Sequence, residues 1–436
     1  MKKQSNSLGK FRFNVNSCVS RFAMAFAFVS ALTLLTTHAM QAQTFSVLHN
    51  FSGGGDGAYP YAGVIVGPSG VLYGTAFEGG THGYGTVFRL SLVESGWILS
   101  PLYEFTGGSD GGFPYGGLVI GPNGALYGTT TDGGTDYSGI VFQLRPSPAV
   151  CKAILCYWNE TVLHTFTGNP DGYEPFSENL IFDQAGNIYG TTSGGGMYLY
   201  GTAFELTPSG TGYTESILHS FGSGTDGENP DSGVVLDTAG NVYETTFYGG
   251  TEEGGCGGYG CGTVYQLIPS NGGWLENVLV NFNGANGDNP SGNLIIDASG
   301  NLYGITSNYQ SNGYGVVFKL TPSGGQFTYS ALYTFNSPCE SYGGVAIDAV
   351  GHFFGVCVDG GAHQDGWIFE LTNCSQTCTL VDLHDFSGSD GASPYGGPVL
   401  DANGNLYGTT YYGGTGTNCT DGCGVVWEIA GVGAQH

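Results

Sequence analysis

The stretch Asp110-Gly-Gly-Phe-Pro-Tyr115-Gly-Gly-Leu-Val-Ile120-Gly-Pro-Asn-Gly-Ala-Leu-Tyr127-Gly-Thr-Thr130 decides how this chain folds, because it recurs. Its Tyr-Gly step has counterparts at Tyr73, Tyr189, Tyr243, Tyr303, the variant Phe354, and Tyr407. With Tyr127, these mark seven copies spaced 54, 62, 54, 60, 51 and 53 residues apart. Each copy gives way to a form of Gly-Thr-Val-Phe-x-Leu. A fixed period of this size is the signature of a repeat architecture and constrains the fold more than any local motif does.

Within the second copy, Gly117 to Ile120 is a short apolar run ended by the turn Gly121-Pro-Asn-Gly124. Leu126 to Thr130 follows as a second strand, then the glycine loop at Asp132 to Gly134. Ile140 to Leu144 makes a third strand and Glu160 to Phe166 a fourth. Each run has strand length, is bounded by Gly, Pro or Asn, and shows no helical period. Four antiparallel strands in such a unit are the content of one propeller blade. The spacing therefore predicts an all-β fold, a seven-bladed β-propeller with four antiparallel strands per blade.

Closure can be read from the ends. The fourth-strand signature Leu-His/Tyr-x-Phe occurs at Leu102 to Phe105, Leu163 to Phe166, Leu218 to Phe221, Leu332 to Phe335 and Leu383 to Phe386. It also stands before the first copy, at Leu48-His49-Asn50-Phe51, whereas the seventh copy stops after its third strand, Val425 to Ile429. Six full units and one split unit are what a wheel completed by its own N-terminal strand requires, leaving no exposed end-blade edge.

Residues 1–42 differ from the rest. Lys2, Lys3, Lys10, Arg12 and Arg21 precede an apolar run from Phe22 to Leu35 and the small-residue stretch Thr37 to Ala42, the layout of a secretory signal peptide. Residues 43–436 then form a single propeller domain. The leader holds five of the nine Lys and Arg and none of the 35 acids. Its removal would leave four bases and a net charge of −31. A surface so acidic repels nucleic acid and anionic membranes and attracts cations. No transmembrane segment is read after the leader. An extracellular or periplasmic location follows as the expectation.

Ten cysteines lie beyond the leader, an even number that in an exported chain reads as disulfides. The local pairs are Cys151 with Cys156, Cys256 with Cys261, Cys374 with Cys378, and Cys419 with Cys423, which leaves Cys339 with Cys357. Zinc is the rival reading for the last two local pairs, whose spacing suits ligands.

The Gly-Asn-Leu-Tyr-Gly-Thr-Thr, Gly-Gly and Gly-Thr-Val-Phe-x-Leu elements recur over nearly all of residues 44–430. On them the chain resembles the choice-of-anchor tandem GloVer-repeat proteins of bacteria. That resemblance implies secretion and often attachment through a C-terminal sorting segment, and it brings no biochemical activity. Residues 431–436 carry neither an apolar tail nor a basic stop.

Two sets of residues, one per blade, are candidates for a ring at the channel mouth. The first is Asp56, Asp110, Asp171, Asp226, Asn286, Ser337 and Asp390. The second follows closely: Tyr61, Tyr115, Phe176, Asp231, Ser291, Tyr342 and Tyr395. Read one way, the Asp opens a turn and the Pro stiffens the crossing between blades. Read the other way, carboxylates beside tyrosines make a polar-aromatic mouth for sugars or peptides, since rings supply contact area and polar groups fix orientation. The aspartates of the Asp-x-x-Gly-Asn turns, Asp183, Asp237, Asp297 and Asp401, read as turn caps. The Gly-Gly loops read as structural, but three differ: blade 4 has Glu252 and Glu253, blade 1 has His82, and blade 6 has His363 near Asp359 and Asp365, where a His with two acids suits a metal site or an acid–base pair but in a glycine-rich loop reads first as solvated. His49, His164, His219 and His384 share a strand position with Tyr103, Tyr333 and Val280, and so read as packing residues.

No nucleophile elbow, His-Glu-x-x-His, phosphate loop or Asp-x-Asp-x-Asp-Gly calcium loop occurs. No catalytic residue, resident metal or cofactor is expected, although the acids could attract a divalent cation such as calcium. The leading reading is an exported, non-catalytic binding or scaffold protein presenting one face to a glycan, peptide or cell-surface component. The alternative is a polysaccharide-acting hydrolase or lyase using carboxylates at the mouth, for which two suitably spaced acids suffice. A purely structural coat component is the third.

Overall fold

The computed structural model describes residues 43–147, 157–176, 179–210, 212–222, 225–251, 256–307, 314–337, 339–374 and 377–433. The amino-terminal 1–42, Cys151 with Cys156, and Glu252 with Glu253 lie outside them. Seven four-stranded antiparallel sheets make up the molecule, a seven-bladed β-propeller. In blade 1 the strands run, from the axis outward, Ile65–Val66, Leu72–Ala76, Thr86–Val93 and Gly96–Glu104. Among the described residues there is no α-helix, and no helix long and apolar enough to cross a membrane.

Closure is as the split motif requires. Thr44–Asn50 lies antiparallel to Val425–Ala430, with Thr44 opposite Ala430, Phe45 opposite Ile429 and Asn50 opposite Val425. The N-terminal strand is thus the outer strand of blade 7.

The core lies between blades rather than within them. One cluster, for example, joins Val87, Leu102 and Phe105 of blade 1 to Leu126, Ile140 and Phe142 of blade 2. The two repeated phenylalanines account for most of this. The Phe that ends each outer strand meets edge-on the aromatic residue of the next blade's third strand. Phe51 with Phe88, Phe105 with Phe142 and Phe166 with Phe204 have ring centroids 5.3, 5.2 and 5.3 Å apart, and Phe386 with Trp427 closes the circle at 6.2 Å. Edge-to-face pairs of this kind stabilise by about 0.5–1.5 kcal/mol each beyond area burial.

The glycine of the Tyr-Gly step serves the same layer. Gly74 pairs with Phe88 and Gly408 with Trp427, and a Cβ at either would strike the partner's ring. The glycine therefore makes room for an aromatic ring of the same blade. Hydroxyls then latch blade to blade: Thr75 donates to the Gly116 carbonyl at 3.0 Å, Thr129 to Pro175 at 3.0 Å, and Thr409 to Ala62 at 2.9 Å across the closure.

Among the described residues four disulfides are present: Cys256–Cys261, Cys339–Cys357, Cys374–Cys378 and Cys419–Cys423. They match four of the five expected pairs and leave no thiolates for zinc at the last two.

Candidate functional site

The loops from each outer strand to the next inner strand, and from each second strand to its third, meet on one face. Ala58 N–H donates to the Glu78 carbonyl at 2.8 Å and Glu78 N–H returns to Ala58 at 3.0 Å. Gly112 and Asp132 repeat the exchange in blade 2. Both candidate sets lie in these loops, and they separate radially.

The aspartates face outward. Asp56 accepts from the Ser52 backbone N–H at 2.9 Å and from its hydroxyl, and lies 3.0 Å from His49 Nε2 on the outer strand. Burial opposes its ionisation, but the His49 ring and the Ser52 bonds outweigh it and hold the carboxyl below its usual range. Asp110 takes the Thr106 N–H at 3.0 Å and the Tyr103 hydroxyl at 3.1 Å. Asp171, Asp226 and Asp390 repeat the turn with His164, His219 and His384, at 3.3, 3.3 and 3.0 Å. Asn286 accepts from Asn283 N–H at 2.9 Å, in the blade where Val280 replaces the histidine. Their carboxylates cap turns against the outer strand, as the turn reading described. The histidines read as packing residues are their partners. The signal was present in the chain: except at Tyr333, whose blade has Ser337 instead, His or Tyr precedes Asp by six or seven residues, and the one Val is followed by Asn.

The aromatic set faces inward. Tyr61, Tyr115, Phe176, Phe247 and Tyr342 line an open cavity at the axis, with Asp231, Ser291 and Gly292. Tyr61 stacks on Tyr115 with centroids 3.7 Å apart and on Tyr395 at 4.7 Å. Tyr395 in turn lies 5.5 Å from Tyr342, and Tyr115 meets Phe176 edge-on at 4.5 Å. Phe247, from a second-to-third strand loop, was not among the sequence candidates. Below the rings the channel narrows to backbone, where Gly63, Gly343 and Gly397 approach so closely that a Cβ on any of them would strike a neighbour's main chain.

A second groove opens from the same rings. Phe77, Glu78, Phe113, Thr131, Tyr137 and Glu174 line it with Tyr115 and Phe176. Exposed apolar and aromatic side chains gather on the second-to-third strand loops of this face, including Tyr137 at 72%, Met197 at 67% and Tyr259 at 66%.

Asp231 stands where five of the other blades place Tyr or Phe and blade 5 places Ser291. One of its oxygens is buried without a hydrogen-bond partner, and burial, reinforced by Glu174, pushes its carboxyl up to about 7. His82 and His363 are exposed in their loops. The turn aspartates behave as caps: Asp183 Oδ1 accepts from Ala185 and Asn187 N–H at 2.8 and 2.9 Å, and Asp237, Asp297 and Asp401 repeat this.

Three blade junctions carry a second acid opposite the turn aspartate. Glu160, Glu215 and Glu276, on the outer strands of blades 2, 3 and 4, face Asp110, Asp171 and Asp226 of the preceding loops. Burial and then the facing aspartate push Glu160 and Glu276 up to about 7 and Glu215 to about 9.

The fold and mouth define a propeller that offers one aromatic-lined face. The chain belongs to the Gloeobacter/Verrucomicrobia repeat family, whose model matches residues 33–246, 155–338 and 244–421. No curated protein matches it. Among solved structures it is similar to a fungal alcohol oxidase of the AA5 family in complex with copper, at 14% identity and a TM-score of 0.55, covering 89% of this chain and 77% of that one. It is also similar to a 6-phosphogluconolactonase-like protein of Bacteroides uniformis, at 14% identity and a TM-score of 0.50, covering 78% and 88%. At that identity the likeness is one of fold alone.

Proposed function

We propose that this is an exported binding protein whose aromatic mouth holds a glycan or peptide, with the surrounding loop face making the wider contact. The observation that carries the reading is the inward set of Tyr61, Tyr115, Phe176, Phe247 and Tyr342 around the axial cavity, edged by Asp231 and Ser291. Stacked rings provide rigid apolar area at small entropic cost, and a few polar groups orient what lies on them. Four bonded cysteine pairs suit an oxidising compartment, in keeping with the basic and apolar leader.

A second reading rests on Asp231. A carboxyl that stays protonated to about pH 7 beside a cavity is equipped to give a proton to a leaving oxygen, as a polysaccharide hydrolase or lyase requires. A glycan array followed by product analysis separates the two. Retention of intact glycan that falls about tenfold or more in Tyr61→Ala or Tyr115→Ala, a loss of roughly 1.4 kcal/mol or more, supports the binding reading. Released product that disappears in Asp231→Asn supports the second. Retention unchanged in both tyrosine variants would remove the mouth from either account.

A further inference from the structure

We infer that two successive blade junctions are divalent transition-metal sites, each built from a histidine, the turn aspartate and a glutamate of the next blade: His164, Asp171 and Glu215 between blades 2 and 3, and His219, Asp226 and Glu276 between blades 3 and 4. In each set the candidate ligand atoms all lie within 4.8 Å of one another. His164 Nε2 is 3.3 Å from Asp171 Oδ1 and 3.6 Å from Glu215 Oε1, and His219 Nε2 is 3.3 Å from both Asp226 oxygens. Ligands about 2.0–2.1 Å from a tetrahedral zinc stand about 3.3–3.4 Å apart. The first site has almost that spacing, and small rotamer adjustments would complete the second.

The junctions elsewhere in the wheel act as internal controls. At His49 and His384 the outer-strand residue of the next blade is Leu99 or Phe45 instead of glutamate. There the histidine and aspartate close to an ordinary hydrogen bond of 3.0 Å, and Phe45 stacks on His384 at 3.6 Å. Where glutamate enters, the contact is longer and a second carboxylate is brought beside the first with no Lys or Arg. Glu215 Oε1 and Glu276 Oε1 are buried with no hydrogen-bond partner, and at the first site all three side chains are at most 18% exposed. Two facing carboxyls and an imidazole in a half-dry cleft present converging oxygen and nitrogen ligands, which a divalent cation would satisfy in place of the proton the two acids otherwise share. An imidazole in the set favours zinc over calcium, whose ligands are oxygens. The Asp110–Glu160 junction has Tyr103 in place of histidine and should hold such an ion poorly.

Bound there, the metal would join the outer strands of neighbouring blades. The test uses the processed chain without a polyhistidine tag, stripped with EDTA and titrated with zinc chloride by calorimetry. Two zinc ions per chain should bind, and saturating zinc should raise Tm by about 5 °C. The isosteric pair Glu215→Gln with Glu276→Gln should bind at least about tenfold more weakly and show no such rise. Its metal-free Tm should equal or exceed that of the wild type, which excludes misfolding as the cause of lost binding. Glu160→Gln should leave the stoichiometry at two. Absence of zinc binding by the wild type, undiminished binding by the double variant, or a preference for calcium over zinc would each overturn the assignment.

Discussion

In blade 4 one residue has changed and its strand partner has changed with it. Glu244 replaces the Tyr-Gly glycine, and the facing aromatic, Phe in most blades, is Tyr265. Both are fully buried, and the Tyr265 hydroxyl donates to Glu244 Oε2. A ring cannot lie over a side chain as it lies over glycine, so the carboxyl reaches outward to a phenol that exists only here. Burial raises the Glu244 carboxyl well above its ordinary range, so it is held neutral in the folded protein. The stability it contributes is complete below the unfolded carboxyl pKa of about 4.3 and is lost as pH rises through the higher folded value. Tyr265→Phe should therefore cost about 1–3 kcal/mol by stranding a buried carboxyl. Glu244→Gly with Tyr265→Phe should recover most of that and show a shallower fall in Tm between pH 5.5 and 8. A non-additive recovery measured by thermal melts at both pH values checks the coupling. Glu244 was visible in the chain as a departure from the repeat. Its compensation was equally present as Tyr265, but only the strand register sets the two side by side.

The strands themselves were legible because each is a short apolar run bracketed by turn residues. The crossing between blades was legible only in part. Pro60, Pro114, Pro175, Pro230, Pro290 and Pro394 announce stiff connections, and the residue before each takes φ between 48° and 56°. Asn229 and Asn289 are of a type that tolerates positive φ, but nothing in Tyr59, Phe113, Glu174 or Ser393 advertises it. Proline disfavours the α region for its predecessor, and tertiary bonds choose the left-handed alternative. The N–H of each reaches back to the preceding blade, as Ser393 does to the Asp365 carbonyl at 2.8 Å. The carbonyl accepts from its own blade, as Ser393 does from Tyr411 N–H at 3.0 Å. These two bonds offset a strain of about 1–2 kcal/mol per residue. Ser393→Gly should hold or raise stability by up to about 1 kcal/mol, whereas Ser393→Val, which is stiff at χ1, should lose about 1–2 kcal/mol. Denaturant midpoints for the two variants measure the difference, and equal midpoints would mean the crossing carries no strain.

At the scale of the whole wheel, counting along the repeats placed both candidate sets on one face but could not assign them a radius. The turn geometry sends the aspartates outward and the next five residues carry the aromatic ring to the axis. The closure, by contrast, was legible, because a fourth-strand motif stands before the first copy and is missing after the last. Its consequence is testable. Thr44 sits opposite Ala430, so the N-terminal strand begins where the last strand ends, as in a hairpin. In blade 1 the same third-to-fourth turn spans only Val93 to Gly96. Deleting residues 43–51 bares the Val425–Ala430 edge and removes Phe45 from Trp427 and His384. An unpaired apolar edge recruits other chains, so the trimmed protein should associate and melt at lower temperature. Moving residues 43–51 to the far end, after His436 through a short glycine-containing turn, should restore the association state and Tm of the parent chain, because the strand re-enters the same register from the adjacent terminus. Light scattering and thermal melts of the two chains against the parent decide it: if the trimmed protein keeps the parent's size and Tm, the closing strand contributes little, and if the permuted one associates beyond the parent, the pairing depends on more than register.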